Sequence, residues 1–416
     1  MYALCDLSPC DAFRLIHSSL MAQAVEREGE KRGGPVYKDH NLHVIFGVTL
    51  IAVLGTSSIT PAFPEIRDAL GISSGQVGLL ITVFTLPGTL LTPVAGVLSD
   101  RYGRRKVLVP SLFLFGIAGV ACALATDFGL LLVLRTLQGV GAAALGAINV
   151  TMIGDLYSGQ RRTEALGYNS SVLSVGTASY PAIGGALALL GWRYPFALPL
   201  VAIPVALLVL FSLRNPESHN DQDLKEYAGN IWESVRDWRV VGLFCSTLIT
   251  FVILFGPLIS YLPIFMSATF GSSSLVIGLV IATASLTTAL ASTQEGWLTS
   301  HFSEKMLIRM SFAFYAAALI LIPLVPNVWL LLVPTVIFGV AQSLNLPPVF
   351  SLLNEAAPNE NRGAFISINS TILRLGQTLG PVLMSAAAIP VGLGGAYFAG
   401  AALAAAMFLV ALILIR

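Results

Sequence analysis

The chain has 416 residues, of which 55% are apolar and only 11% are charged, and its net charge is +1. Soluble domains carry about 25% charged residues, so this composition excludes an ordinary soluble domain and predicts a protein whose solvent is lipid. A balanced charge of this kind gives no support to nucleic-acid binding. The four cysteines show no metal-ligand spacing, so we expect no metal site, no cofactor and no structural disulfide.

Residues 1–40 are polar, mixed in charge and without periodicity, which predicts a disordered tail rather than a secretory signal. Met21 is a candidate internal start site within this tail. From residue 41 onward, apolar runs of about 20 residues follow one another, and this is the length of a membrane-spanning helix. The first six runs lie at 42–63, 76–98, 107–126, 128–153, 165–190 and 195–213. We therefore predict a six-helix bundle over residues 41–213.

The turn between the second and third spans holds four cations in six residues, together with one carboxylate. Its glycines permit a tight reversal and close helix approach, and its aspartate can pair with a cation or cap a helix. We predict a conformational latch, which joins helices in one conformation and releases them in another. The latch residues in this turn are Gly96, Asp100, Arg101, Gly103, Arg104 and Arg105. The alternative is a basic anchor that only fixes topology.

The G-x-x-x-D-R-x-G-R-R spacing of this turn resembles the loop between helices 2 and 3 of the major facilitator superfamily of transporters. A second charged turn, with Asp155, Arg161, Arg162 and Glu164, lies on the same side two spans later. Asp155 or Glu164 can bridge to the first turn, and we include Asp155 and Arg162 in the latch. The alternative is two separately solvated loops.

The fourth span contains an arginine, in the sequence Arg135-Thr-Leu-Gln138-Gly139. Such a charge costs several kcal/mol unless it faces a wet cavity or a partner. The R-x-x-Q-G pattern resembles the helix 4 motif of proton-linked members of the superfamily, in which the arginine is implicated in proton transfer. Because arginine stays protonated, it can act only by lowering the pKa of a nearby acid, and Asp127 lies ~12 Å away along the helix. The prediction is a coupling site of Arg135, Gln138 and Asp127. The alternative is an arginine that binds backbone carbonyl groups.

The fifth span carries a proline among small residues, a combination that bends a helix and lets a neighbour pack closely. The stretch resembles the helix 5 motif of the antiporters of the superfamily. The motif residues are Gly176, Tyr180, Pro181, Gly184 and Gly185. Tyr180 departs from the family pattern, which has glycine at this position, so we expect its ring to narrow a cavity or alter the bend.

The second half of the chain repeats the first at an offset of 200 residues without gaps. Among the matching pairs are Asn169 and Asn369, Gly176 and Gly376, Pro181 and Pro381, and Arg162 and Arg362. The repeat predicts spans at 240–266, 275–299, 307–325, 328–353, 364–388 and 393–415, in a second bundle over residues 240–416. Residues 214–239 are the predicted linker. Twelve spans in two parallel repeats give an all-α membrane protein with the major facilitator fold.

The second copy of the charged turn has lost the pattern of the first, because Ser300, His301 and Glu304 replace its aspartate and two of its arginines. We therefore expect the tighter latch in the first half. Polar residues inside spans indicate a water-filled cavity, although some of them can be packing hydrogen bonds worth about 0.6 kcal/mol each. The cavity candidates are Asn149, Gln342, Asn345, Arg374 and Gln377.

The basic residues predict the orientation. Of 23 lysines and arginines, 19 fall on the side that holds both termini and the charged turns, two fall opposite, and Arg135 and Arg374 lie within spans. By the positive-inside rule, the termini, the tail and the linker are cytoplasmic. We expect a multi-pass protein of the cell inner (plasma) membrane.

The resemblance to the superfamily covers residues 41–416, and its motifs are most similar to those of the twelve-helix drug:proton antiporters. It implies proton-coupled efflux of drugs or other small amphipathic compounds by alternating access. The alternatives are an exporter of one metabolite, such as a siderophore or a sugar, and a symporter or facilitator. The sequence contains no P-loop and no set of catalytic residues, so we expect neither direct ATP use nor an enzyme. The expected partners are a small-molecule substrate, protons and the bilayer, with no nucleic acid, and the expected state is a monomer.

Overall fold

The computed structural model of the protein describes residues 35–213, 237–356 and 362–415. The predicted tail falls mostly on residues 1–34 and the predicted linker mostly on residues 214–236, and both of these ranges lie outside the described residues. Within the described residues every regular element is helical. The all-α prediction is confirmed.

Six long helices form the first half. They are α1 (His40–Ser57), α2 (Ser74–Tyr102), α3 (Arg104–Ala123), α4 (Phe128–Leu156), α5 (Gly159–Ala188) and α6 (Ala202–Ser212). Short helices at Thr60–Ala62 and Phe63–Leu70 extend α1, and a 3-10 helix at Tyr194–Val201 precedes α6. Only Gly103 separates α2 from α3, and its φ of 97° is the backbone conformation that glycine adopts at little cost.

Six long helices likewise form the second half. They are α7 (Trp238–Ile253), α8 (Ser274–Ser292), α9 (Glu304–Leu321), α10 (Leu332–Ala356), α11 (Arg362–Val391) and α12 (Leu393–Leu414). A π-helix at Leu254–Tyr261 and a helix at Leu262–Phe270 extend α7. The span predicted over 275–299 is divided, because a turn at Thr293 and Gln294 separates α8 from a short helix at Glu295–His301.

Eleven helical segments in the described part of the chain are long and apolar enough to cross a membrane. The remaining long helix, α5, has 30 residues but carries many serines, threonines and charged residues, especially in its first half. A helix of this polarity is stable in a bilayer only where its polar face lines a cavity or packs on other helices. Together with α5, the spans give the predicted twelve-helix architecture.

The internal repeat is visible in the hydrogen bonds. Thr49 in α1 donates to the Oδ1 atom of Asn169 in α5, and Thr247 in α7 donates to Oδ1 of Asn369 in α11 at 2.7 Å. The two asparagines are one of the pairs that the offset of 200 residues predicts. Each half also has its own buried apolar cluster, so the halves are two packed units.

Two ends of the helix bundle are distinguished below. The basic face holds Gly103, the turn between α4 and α5, and the segment Glu295–Glu304. The opposite face holds the turns that precede α2, α4 and α8, and also Glu65.

Candidate functional site

The two halves meet at the opposite face through α5 and α8. A Cβ atom on Gly185 would clash with the carbonyl oxygen of Ser274, and a Cβ atom on Gly278 would clash with the carbonyl oxygen of Pro181. The two backbones therefore touch directly, which small residues alone allow. The sequence predicted Gly185 and Pro181 as a helix-bend motif but gave no partner for them. The Ser-x-x-x-Gly spacing of Ser274 and Gly278 in α8 is the signal that could have identified this contact, but no prediction was drawn from it.

A second contact between the halves joins α2 to α11. A Cβ atom on Gly78 would lie 3.1 Å from the Cβ of Pro381. Farther toward the basic face, Oγ1 of Thr378 lies 3.0 Å from Oγ1 of Thr85 and 3.2 Å from Oγ1 of Thr89. These threonines form a hydroxyl cluster near the middle of the bundle.

A buried apolar cluster extends across both halves at the opposite face. Ile59, Phe63, Ile66, Val77 and Ile81 come from the first half, and Phe251, Phe255 and Ile264 come from the second half. Because this cluster excludes water from the space between the halves, the opposite face is closed.

The contact between α2 and α11 does not continue to the basic face. Gly96 lies two helical turns beyond Thr89 on the same side of α2, yet a Cβ atom there would meet nothing within 4 Å. Gly167, near the basic end of α5, has equally open surroundings. The expectation that Gly96 brings two helices into close contact is wrong for this conformation, because the halves have separated at the basic face.

Arg374 of α11 lies where the contact between the halves ends. A Cβ atom on Gly88 of α2 would lie 2.6 Å from its Nη1 atom, and one on Gly146 of α4 would lie 3.3 Å from its Nη2 atom. The guanidinium group therefore reaches from the second half to two glycines of the first half. The sequence predicted Arg374 as a cavity residue, but it did not identify these two glycines.

One carboxylate lies between the halves at the opposite face. Glu65, which follows Pro64 at the start of a short helix, accepts a hydrogen bond from the hydroxyl group of Ser274 through Oε1. Its Oε2 atom is buried and has no hydrogen-bond partner. Glu65 thus joins the first half to α8 beside Gly185, and its environment depends on the closure of this face.

Arg104 is the centre of the predicted latch. Its guanidinium group forms ion pairs with Asp100 and, at 3.0 Å, with Asp155, and it donates to Oγ of Ser99 at 2.7 Å. Only 8% of the Arg104 surface is exposed. This network ties the basic ends of α2, α3 and α4 together within the first half.

The other predicted latch residues lie around this network rather than in it. Arg101 and Arg105 are exposed, and the guanidinium of Arg101 lies 5.9 Å from the ring centre of Tyr102. Arg162 is exposed and lies against Gly154 of α4. Among the described residues, no ion pair joins the turn between α2 and α3 to the second half.

Arg135 is completely buried inside the first half. Its guanidinium donates to the carbonyl oxygens of Gly55 (2.9 Å) and Leu80 (3.3 Å) and to Oε1 of Gln138 (2.6 Å), and it stacks on the Phe84 ring at 4.3 Å. This geometry matches the alternative, an arginine that binds backbone carbonyl groups, although it lies deeper than the membrane edge. Its Nη2 atom has no hydrogen-bond partner.

Asp127, the predicted partner of Arg135, lies in a different environment. Its Oδ1 atom accepts a hydrogen bond at 2.9 Å from the backbone N–H of Leu130, so the side chain caps its own helix at the opposite face. The structure therefore does not bring Asp127 and Arg135 together. Distance along a helix could not show this, because capping decides where the side chain points.

The remaining polar candidates divide into two buried asparagines and two partly buried glutamines. Asn149 donates to Thr49, and Asn345 donates to Ser311 at 2.8 Å and accepts from Thr250 at 2.9 Å. Both asparagines are buried within one half. Gln342 and Gln377 are only partly buried; Gln342 accepts a 3.4 Å hydrogen bond from Thr288, a packing contact within the second half.

The glycines of α4 and α5 serve close packing. Cβ atoms on Gly139 and Gly184 would clash with the backbone of Phe84 and of Ser58 respectively. Gly176 faces α1, and its Cβ position lies 3.4 Å from the ring of Tyr180. Tyr180 is partly buried and packs against the apolar cluster of the first half, a contact within that half.

The second copy of the charged turn, at Glu295–Glu304, brings the carboxylates of Glu295 and Glu304 together instead of forming an ion pair. Burial, and secondly the negative charge of Glu304, raise the pKa of Glu295. Because the pKa is raised in the folded protein, protonated Glu295 contributes to the stability of the fold. This stabilisation is complete only at low pH and is lost as the pH rises and Glu295 ionises.

We therefore expect Glu295→Gln to raise the thermal unfolding temperature of the purified protein at pH 8 by about 1–2 °C, since partial exposure screens the repulsion. The gain should vanish at pH 4, where the wild-type carboxyl is protonated. Differential scanning fluorimetry in detergent at both values measures this, with the exposed Glu164→Gln as control. An equal gain at both pH values would show that charge is not the cause.

Comparison with known proteins gives consistent matches. The sequence model described as Major Facilitator Superfamily matches residues 45–271 and 243–416. Multidrug resistance protein 1 of Bacillus subtilis (strain 168) is 28% identical over 350 residues, which are 83% of this chain and 89% of that protein. The Bacillibactin exporter of the same organism is 34% identical over 163 residues, 38% of this chain and 40% of that protein.

The fold also matches solved structures. A bacterial homolog of the human lysosomal transporter Spinster, in an inward-facing and occupied conformation, superposes with a TM-score of 0.70 at 19% identity. The match covers 92% of this chain and 96% of that chain.

Among the described residues, no group of histidine, cysteine, aspartate and glutamate side chains is arranged to hold a metal ion.

Proposed function

The chain belongs to the Major Facilitator Superfamily, whose sequence model matches both of its halves, and we propose that it is a secondary active transporter that exports drugs or other small amphipathic compounds. The observation that carries the proposal is the unequal contact between the halves. They touch backbone to backbone at the opposite face and are separate at Gly96 near the basic face. A substrate site between two such halves is open to one side only, as alternating access requires.

The basic face is the cytoplasmic face in this proposal, because the basic residues concentrate there. The protein then lies in the cell inner (plasma) membrane as a monomer with cytoplasmic termini, and its conformation accepts substrate from the cytoplasm. Export requires that the contacts of Gly185 and Thr378 break and that the basic ends of the halves come together. The Arg104 network gives the first half a rigid basic end for this closure.

Protons are the coupling ion in this proposal, and Glu65 is the carboxylate that carries them. Its Oε1 atom is bonded to Ser274 while the opposite face is closed, and opening that face separates the two residues and exposes the carboxylate to water. A group whose surroundings differ between two conformations links its protonation to the equilibrium between them. The competing proposal is Asp127 acting with Arg135, which requires Asp127 to leave its helix cap.

We expect Glu65→Gln to reduce substrate-driven proton flux in proteoliposomes at least about tenfold, equivalent to ~1.4 kcal/mol, while exchange of substrate without a gradient persists. Asp68→Asn, which removes an exposed carboxylate three residues away, should keep the wild-type flux. Asp127→Asn tests the competing proposal in the same assay. A wild-type proton-to-substrate ratio in Glu65→Gln would rule out Glu65 as the carrier.

The proposal as a whole is tested in inside-out membrane vesicles, with a panel of amphipathic compounds and with or without a pH gradient. We expect several panel members to accumulate only when the gradient is present and to leak out when a protonophore is added. Accumulation of one compound alone would favour an exporter of a single metabolite, a possibility that the partial match to the Bacillibactin exporter keeps open. Equilibration without proton flux would identify a facilitator.

A further inference from the structure

Arg374 differs from every other arginine of the described chain in its position. It projects from α11 of the second half into the first half, where its Nη1 and Nη2 atoms lie against Gly88 and Gly146. The absence of side chains at these two positions creates the space that the guanidinium occupies. The hydroxyl cluster lies one helical turn from Arg374, toward the opposite face. Its Thr378 donates a hydrogen bond to the backbone carbonyl oxygen of Arg374 at 2.9 Å.

No side chain in the described part of the chain compensates the charge of Arg374. Among the described residues, no carboxylate lies within ion-pair distance of it, and its guanidinium forms no hydrogen bond with any of them. Arg135 provides the contrast, because it has three acceptors and an aromatic ring around it. An uncompensated cation inside a membrane protein is costly, so a partner from outside the chain gains affinity there.

The groups around Arg374 indicate which charge such a partner carries. The glycines and threonines around Arg374 are neutral. The carboxylates of the Arg104 network, of Asp127 and of Glu65 all lie at the two ends of the bundle, away from Arg374. A guanidinium presents parallel N–H donors that match a carboxylate, sulfonate or phosphate group in two-point contact. A cationic compound would meet repulsion here and no counter-charge.

We propose that Arg374 is an anion-binding residue between the two halves, and that the preferred substrates are amphipathic anions bearing a carboxylate, sulfonate or phosphate group. This inference rests on the proposed export function and specifies its substrate class. Because Arg374 also touches α2 and α4, a bound anion lies at the junction of the two halves, where the contacts change during alternating access.

Two xanthene dyes of similar size and opposite charge, fluorescein and rhodamine 123, provide the test. We expect wild-type proteoliposomes to transport fluorescein at least about tenfold faster than rhodamine 123, and purified protein to bind fluorescein more tightly by fluorescence anisotropy. Arg374→Gln should lose the fluorescein preference in both measurements. Arg374→Lys, which keeps the charge without the two-point geometry, should retain part of it. Arg193→Gln, an exposed arginine at the opposite face, is the matched control and should keep the preference.

A second variant tests the site without changing charge. A methyl group at Gly88 would lie 2.6 Å from Nη1 of Arg374, so Gly88→Ala should displace the guanidinium and weaken fluorescein binding, while Gly167→Ala should not.

Equal binding of the two dyes by the wild type, or an equal loss of both in Arg374→Gln, would overturn the inference. Selective fluorescein binding without transport would support the inference and count against export. Binding of neither dye would overturn the inference, whereas gradient-driven transport of other compounds would leave export standing.

Discussion

Replacing Arg104 with alanine is expected to reduce transport at least about a hundredfold, equivalent to ~2.7 kcal/mol, while the protein still inserts into the membrane. The side chain is almost completely buried and is shared by Asp100, Asp155 and Ser99. Its removal leaves two partly buried carboxylates facing each other, and the breaking of such an ion pair is strongly destabilising. The basic ends of α2, α3 and α4 would then separate, and the first half could not present a rigid surface for closure.

The measurements are dye transport in vesicles and thermal unfolding of purified protein. Lys106→Ala removes the same charge from an exposed position two residues away, so it reproduces any effect on topology alone and should transport normally. The double variant Arg104→Ala with Asp155→Asn should recover part of the lost stability, because it removes one of the facing charges. Equal transport by Arg104→Ala and Lys106→Ala, at equal abundance, would show that the turn only fixes topology.

Replacing Gly185 with alanine is expected to shift the protein toward a conformation open at the opposite face. The added methyl group would clash with the carbonyl oxygen of Ser274 and lie 3.1 Å from Cα of Leu275, both in the backbone of α8. Overpacking of this kind costs about 1–3 kcal/mol, which changes the ratio of two conformations by roughly 5- to 150-fold. Transport should slow because the cycle must pass through the disfavoured conformation.

Pulsed electron paramagnetic resonance between spin labels at Thr126 and Ser273, with the native cysteines replaced, reports the distance between the halves at this face. The population of long distances should rise in Gly185→Ala and stay unchanged in Gly167→Ala, whose methyl group meets nothing within 4 Å. Gly184→Ala clashes with Ser58 of the same half, so it should lower the unfolding temperature instead. An unchanged distance distribution in Gly185→Ala would contradict the role of this contact.

The network around Arg104 illustrates what a local pattern predicts and what it omits. The sequence identified the charged turn and included Asp155 from another helix, because both loops carry charges on one side of the membrane. It did not distinguish buried Arg104 from exposed Arg101 and Arg105. Adjacent arginines on a helix point in different directions, so only the position of α4 decides which of them meets Asp155.

The two arginines within spans show the same division. In the sequence, Arg135 and Arg374 are each a cation in an apolar run, and only Arg135 belongs to a pattern that resembles a family motif. Folding brings Arg135 to the carbonyl groups of Leu80 and Gly55, which are 55 and 80 residues away in the sequence. It leaves Arg374 between two glycines of the other half. No local pattern contains this information, because the partners are brought together only by helix packing.

The sequence by itself determined the membrane environment, the number of spans, the repeat of two halves and the basic face. These features follow from local composition, since each span must bury its own backbone polar groups and each repeat keeps the same apolar pattern. Only the tertiary structure decided which face is closed, that Glu65 meets Ser274, and that Asp127 caps its own helix rather than pairing with Arg135. Those outcomes depend on contacts between distant helices, and the closure of one face is a property of the packed halves that no single segment encodes.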